Sequence, residues 1–510
     1  MTTQLAPAPL AATGAAPPAD PFEFHRWFTS ARSQEQKRLI ARIKRFLELV
    51  MADQEFRLAL KEHPEQAAEL TSRRGLEVDP HALEPLWRQG FTTIIPKADY
   101  KRWPQLGLWC QWVRDILKYR DLLFLAGDPG PGQPAFAKWR GRRAAANDFL
   151  LGPRNKAIVY PVFAYELSKG CSQGCWFCAF AAPRLEAVFR YDRANARLWN
   201  QILETGLEMM GLGAAQSGFC YWATEPSDNP DYLRFLEDFR RVNGMLCQTT
   251  TAAATRDPAW TRRMLALYDQ EIRAVKPRFS VLSLKMLAEI HRLFSPDELL
   301  RVECIPQNPE SILYKAKTGR AARDPQDRWR QEYRQRKNEQ RGESLAGEAS
   351  QPEPPLEAPD FGGTTACVSG YLVNMVERTV MLVSPCQASA RWPLGYRVHA
   401  QGRFDNAADY RAFIARSIAE HMPPTLPSEE PARFNEDVAY LEGPPGPVLR
   451  SRVKAMGLEA AGPAYAPAAE MLAQGGLSPS QIMGRLMDQG QSPLEAAAVL
   501  GHFFDMGLLD

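Results

Sequence analysis

Between residues 35 and 90, apolar side chains recur at three- and four-residue steps. Leu39, Ile43, Phe46, Leu47, Val50 and Met51 make a stripe about one helix face wide. Asp53 is placed to cap a second helix carrying Phe56, Leu58 and Leu60. Pro64 opens a third segment, and Gly75 suits a helix end before Leu76-Glu77-Val78. Residues 26–95 therefore read as a small helical domain, after an Ala/Pro-rich tail over 1–25 expected to be disordered. Residues 96–155 are rich in Trp and Arg and read as a helical and loop connection, interrupted by Gly127–Pro134.

From Lys156 the pattern changes to short apolar runs separated by helical stretches. Strands are expected at 158–165, 218–223, 245–251, 278–282 and 301–306. Helices are expected near 194–211, 231–242, 258–269 and 283–294. Such alternation argues for parallel βα units and an α/β fold. Residues 319–360 interrupt it with a charged, then Pro/Glu-rich stretch, read as a partly disordered insertion that is either a solvated loop or a peptide-docking element. Tyr371–Met375 and Thr379–Val383 read as an antiparallel pair turning at Glu377-Arg378, which places residue 386 opposite 369. From 396 onward a C-terminal helical domain is expected, closing in a helix-turn-helix-like segment after Leu477.

The 510 residues are 45% hydrophobic and 24% charged, a globular profile. A formal net charge of +3 is too small to imply a nucleic-acid partner. No apolar run of about 18 residues argues for a membrane span, and the N-terminus lacks the pattern of a secretory signal, so a cytoplasmic protein is expected. Nine scattered cysteines do not suggest a disulfide framework.

Three of those cysteines stand apart. Glu166-Leu-Ser-Lys-Gly-Cys171-Ser-Gln-Gly-Cys175-Trp-Phe-Cys178 contains C-x3-C-x2-C directly after an apolar strand. Three thiolates from one short loop suit an iron–sulfur cubane, each on its own iron, and leave a fourth iron open for a chelating small molecule. A structural zinc site needs four ligands, and none with suitable spacing follows Cys178. Phe177 before the last cysteine and Gly174 within the loop also favour a cluster.

This motif resembles that of the radical S-adenosylmethionine (SAM) superfamily, and the resemblance covers about 156–395. It implies a [4Fe–4S] cluster on Cys171, Cys175 and Cys178, SAM on the open iron, and a partial (β/α)6 barrel over 156–318 and 361–395. Trp222-Ala-Thr224-Glu225-Pro resembles the family's Gly-Gly-Glu-Pro element, which implies that Glu225 and the backbone near Thr224 hold the SAM amino group. Ala223-Thr224 stand where glycines are usual. Gln248, Thr249 and Thr250, at a strand end, are further candidates for facing ribose or substrate.

Longer stretches, Ala366-Cys367-Val-Ser-Gly-Tyr-Leu-Val-Asn-Met and Ser384-Pro-Cys386-Gln-Ala-Ser-Ala-Arg-Trp-Pro-Leu-Gly-Tyr, are similar to the radical SAM amino-acid epimerases of ribosomal-peptide maturation, the polytheonamide-epimerase type. The resemblance implies conversion of L- to D-residues in a precursor peptide carrying a leader, with a reductant such as flavodoxin or ferredoxin. Removing a Cα hydrogen leaves a planar radical, and inversion then needs a second donor, for which a thiol is suited. Cys386 and Cys367 are the candidates, with Cys386 favoured and Tyr371 or Tyr396 as alternative donors. Peptide cross-linking is the competing enzyme class, but it often needs an auxiliary cluster, for which the cysteines are too few. The segment Phe46–Val78 also resembles nitrogen-fixation-type leader sequences, which implies leader recognition or mimicry.

Overall fold

A computed structural model describes residues 17–127, 132–152, 161–175, 178–270, 273–313, 318–320, 367–443 and 446–509. Phe177, the tail over 1–16 and residues 321–360 of the expected insertion lie outside the described residues.

The chain opens with helices α1 (Pro21–Ser30), α2 (Gln34–Ala52), α3 (Gln54–Glu62), α4 (Ala67–Arg73) and α5 (Glu84–Arg88), followed by α6 (Pro104–Ala126) and α7 (Pro134–Leu150). Local chemistry sets the boundaries. Ser33 and Gln36 form a reciprocal capping box, and the Asp53 carboxylate accepts from Phe56 N at 3.0 Å. The tail ends earlier than expected. Asp20 accepts from the backbone N–H of Phe22 and Glu23, so α1 starts at Pro21, and burial of Phe22, Phe24 and Phe28 fixes it in place.

Strands and helices alternate from 163. β1 (Phe163–Glu166) leads into β2 (Ser168–Lys169), which pairs antiparallel with β3 (Ala187–Val188). Then come α8 (Arg193–Met210), α9 (Leu212–Gln216), α10 (Tyr232–Asn243), β4 (Thr250–Thr251), α11 (Pro258–Gln270), β5 (Arg278–Val281), α12 (Leu284–Leu293) and β6 (Glu303–Pro306). β4, β5 and β6 pair in parallel in that order. Phe219 makes a parallel bridge to Ala164, and Leu246 one to Ala274. The hydrogen-bonded strands are shorter than the apolar runs, because those runs are buried beyond the ladder: Phe219, Cys220, Trp222 and Leu246 all belong to the main core.

β7 (Gly370–Asn374), β8 (Thr379–Pro385) and β9 (Tyr396–Arg403) extend from β1 in the order β1-β7-β8-β9, with β1 and β7 parallel and the rest antiparallel. Asn374 Oδ1 accepts from Val376 N and Glu377 N, which centres the β7–β8 turn earlier than expected. Gly370 therefore pairs with Val383, and residue 386 falls level with 367 rather than 369. β9 occupies residues assigned to the helical C-terminus, because Tyr396, Val398 and Ala400 alternate onto the core.

The chain continues through α13 (Ala407–His421), a small antiparallel sheet of β10 (Ala439–Leu441), β11 (Val448–Arg450) and β12 (Ala455–Gly457), and three final helices. These are α14 (Tyr465–Gln474), α15 (Pro479–Asp488) and α16 (Pro493–Asp505), the last two opened by capping boxes at Ser478 and Ser492. Among the described residues, no helix is long and apolar enough to cross a membrane.

Candidate cysteine-loop site

The loop carrying Cys171, Cys175 and Cys178 leaves the end of β2 through a contact only glycine permits. Gly170 has φ +81°, and a Cβ there would lie 2.2 Å from Arg184 O. This close approach lets Cys171 N donate to Pro183 O at 3.0 Å. Gly174, at φ +58°, turns the loop again. Cys171 Sγ accepts from Gln173 N at 3.5 Å and Cys178 Sγ from Ala182 N at 3.4 Å, while Cys178 N donates to Cys175 O.

All three thiols are half-buried. Burial, then the charges of Cys171 and Cys178, pushes Cys175 up to about 12. Burial is also the main reason that Cys171 is pushed up to about 11, with Glu225, Asp228 and Cys178 adding to it. Among the described residues, no three His, Cys, Asp or Glu side chains converge to hold one metal ion. A cubane does not ask for such convergence, since each thiolate binds a separate iron, and backbone N–H groups aimed at sulfur suit it. The donor set fits that group.

Residues 318–320, at the edge of the expected insertion, pack on this loop. Arg320 N donates to Cys178 O at 2.9 Å, Thr318 Oγ1 to Ala179 O at 3.1 Å, and Gly319 N to Pro393 O at 3.3 Å.

A polar network then fastens the cysteine loop to the next two loops. Asp228 accepts from Ser172 N at 2.8 Å and Ser172 Oγ at 2.6 Å, and pairs with Arg256 at 2.9 Å. Arg256 also donates to Ser172 Oγ and Ser227 Oγ. Asn229 Nδ2 donates to Leu167 O and Phe189 O, both at 2.9 Å. Sequence reading missed Ser172, Asp228 and Arg256. Proximity to the cysteine and Glu-Pro motifs signals Ser172 and Asp228, whereas Arg256, 29 residues beyond Ser227, carries no such signal.

Glu225 is 2% exposed and already satisfied. Its carboxylate accepts from Ser227 N, Ser227 Oγ, Thr251 Oγ1 and Ala252 N. Burial still raises its pKa. The geometry thus shows Glu225 tying the loop after Trp222 to the end of β4, a role its motif did not suggest. Ala223 takes φ +52°, so it keeps a backbone that glycine would adopt freely. Thr224 beside it is half-buried.

The remaining candidates divide between two places. Gln248 Oε1 accepts from Tyr221 OH at 2.9 Å and, with Cys367, lines a large cavity at the starts of the parallel strands. Thr249 instead meets Tyr232 and Tyr268 hydroxyls from the helical layer. Cys386 is buried at the end of β8, and its N–H donates to Gly395 O at 3.1 Å. The segment it begins touches residues 318–320, which pack on the cysteine loop, because Gly319 N donates to Pro393 O. The same connection recurs in rings: Tyr396 meets Trp222 edge-on at 5.9 Å, and Trp222 lies 4.5 Å from Phe180. Burial pushes the Cys386 thiol up to about 12 and Cys367 up to about 11, so both keep their S–H at neutral pH. Tyr371 is bonded to Ser417 in the core, away from this region.

Compared with known proteins, the chain is 38% identical over 491 residues to "Uncharacterized protein y4wI" of Sinorhizobium fredii, a match spanning 96% of this chain and 90% of that protein. No protein-family model and no solved structure matches the chain.

Proposed function

The chain belongs to one family with the Sinorhizobium fredii protein y4wI, and within that family we propose that it is a radical SAM peptidyl epimerase, converting L- to D-residues in a ribosomal precursor peptide. The observation that carries the reading is the cysteine loop: three thiols on a glycine-turned loop after β1, with backbone N–H groups directed at two of the sulfurs. Cys171, Cys175 and Cys178 would hold the [4Fe–4S] cluster, and the segment around Thr224, kept in place by Glu225, would hold SAM. Together the bound groups supply one-electron chemistry able to remove a hydrogen atom from carbon. The parallel pairing of β4, β5 and β6 and of β1 with β7 is compatible with a partial (β/α)6 barrel carrying this loop.

The protein's own part is to orient and to return hydrogen. Asp228 and Arg256 hold the cysteine loop against the Glu225 loop. Cys386 Sγ gives a hydrogen atom to the opposite face of the substrate Cα, leaving a sulfur radical. One electron from a flavodoxin- or ferredoxin-class reductant and one solvent proton restore the thiol. Cys386 is preferred to Cys367 because its segment is linked through Gly319 to the residues packed on the cysteine loop, whereas Cys367 faces the separate cavity. The proposed chemistry calls for a cytoplasmic location and a leader-bearing precursor peptide as partner.

The test is turnover of the cognate precursor in deuterated water. Each D-residue should gain one mass unit with the native enzyme. Cys386→Ala should retain iron and still consume SAM but make almost no D-residue, while Cys367→Ala stays close to native. Deuterium-labelled D-residues from the Cys386/Cys367 double variant would sink the thiol role. Full cluster absorbance in the Cys171/Cys175/Cys178 triple Ala variant would sink the cluster.

A further inference from the structure

A cavity of about 730 Å3 lies between the N-terminal helices and the starts of the parallel strands, within the size range of small-molecule sites. Its walls are mainly apolar, with Trp109, Trp112, Val113, Ile116 and Leu123 of α6 along one side. Its floor is charged. Arg278 pairs with Glu303 at 2.6 Å, and Lys44 pairs with Glu48, which also meets His291 at 3.0 Å. These acids and bases balance. His25, nearby, is neutral because burial and then the Lys276 and Arg301 charges depress it.

Lys276 is left over. Among the described residues no carboxylate comes within ion-pair distance of it; its ammonium sits 5.1 Å from the centre of the Trp112 ring. Glu303, the acid whose charge favours the Lys276 ammonium form, is committed to Arg278. An apolar chamber with one uncompensated cation at its floor is complementary to an amphipathic anion. We propose that this cavity binds a small aliphatic or aromatic carboxylate, its charged group on Lys276 and its body along Trp109 and Trp112. Burial lowers Lys276 to about 7, and a bound carboxylate would hold it charged. The proposal stands apart from the epimerase reading, since none of its contacts belongs to the cysteine loop.

Calorimetric titration of the full chain with decanoate and with decan-1-ol tests it. Native protein should bind decanoate at least about tenfold more tightly than the alcohol, the worth of one charged contact. Lys276→Met should erase that preference and leave decanol affinity within about twofold. Val113→Trp, which fills the chamber, should lose both ligands. Circular dichroism and the melting midpoint establish folding, and Lys276→Gln replaces any Lys276→Met protein that does not fold. For the same reason, Val113→Phe stands in for the Trp variant. Absence of decanoate binding to native protein, equal binding of acid and alcohol, a preference that survives loss of Lys276, or native affinity in the filled variant would each overturn it.

Discussion

Removing the Asp228 carboxylate should loosen the cysteine loop more than the fold. Asp228→Ala deletes two bonds to Ser172, at 2.8 and 2.6 Å, and the pairing with Arg256 at 2.9 Å. Hydrogen bonds to a charged group contribute about 1.5–3 kcal/mol each when their partners cannot turn to water. Here they partly can: the Arg256 side chain is 43% exposed and keeps Ser172 Oγ and Ser227 Oγ as acceptors. After that discount a net loss of about 2 kcal/mol remains, equivalent to a roughly 30-fold rise in the open population of the loop. Hydrogen–deuterium exchange reads this directly, since Ser172 N–H is itself the donor to Asp228. Exchange over residues 171–175 should accelerate by about that factor, with α8 and α10 unaffected, and the iron of the proposed cluster should pass faster to a chelator. Asp228→Asn, which keeps the shape and loses the charge, should fall between. Native exchange at Ser172 together with native iron retention in Asp228→Ala would refute the claim that this network holds the loop.

Two further outcomes follow from the same region. Gly170→Ala places a methyl 2.2 Å from Arg184 O at φ +81°, so it should cost about 3 kcal/mol or more and lower the melting midpoint, and with it retention of the proposed cluster; a native midpoint would show that the loop has room to shift. Glu166 hydrogen-bonds Asn374, but burial outweighs that contact and raises it to about 8 from 4.5. The folded state thus holds a proton that the unfolded chain releases, so this residue's contribution to stability is present below pH 4.5 and declines as pH rises towards 8. Glu166→Gln, fixed in the neutral form, should gain on the order of 4 kcal/mol over native protein between pH 5 and 9 in urea unfolding. A difference that stays flat across that range would show that Glu166 ionises freely in the fold.

Much of the local structure could be read from the chain, because helix and strand periodicity, caps and turns depend on neighbouring residues. The stripe from Leu39 to Met51 became α2, Asp53 capped α3, and the alternating segments yielded α8, α10, α11 and α12 near their expected limits. The β7–β8 hairpin was equally legible, although its register was not: a single Asn374 side chain recentred the turn. The cysteine loop itself was visible as spacing and glycines. Its surroundings were not, since Asp228 lies 56 residues from Ser172 and Arg256 lies 84 residues from it. Nothing in the local pattern distinguishes these polar side chains from exposed ones. Tertiary structure also assigned Glu225 four protein donors and directed Cys367 to the cavity while linking the Cys386 segment to the residues packed on the cysteine loop. It left Lys276, among the described residues, without a carboxylate in ion-pair reach at the floor of an apolar chamber. Each is a choice among long-range partners, decided when helices and strands pack and polar groups shut off from water must find one another.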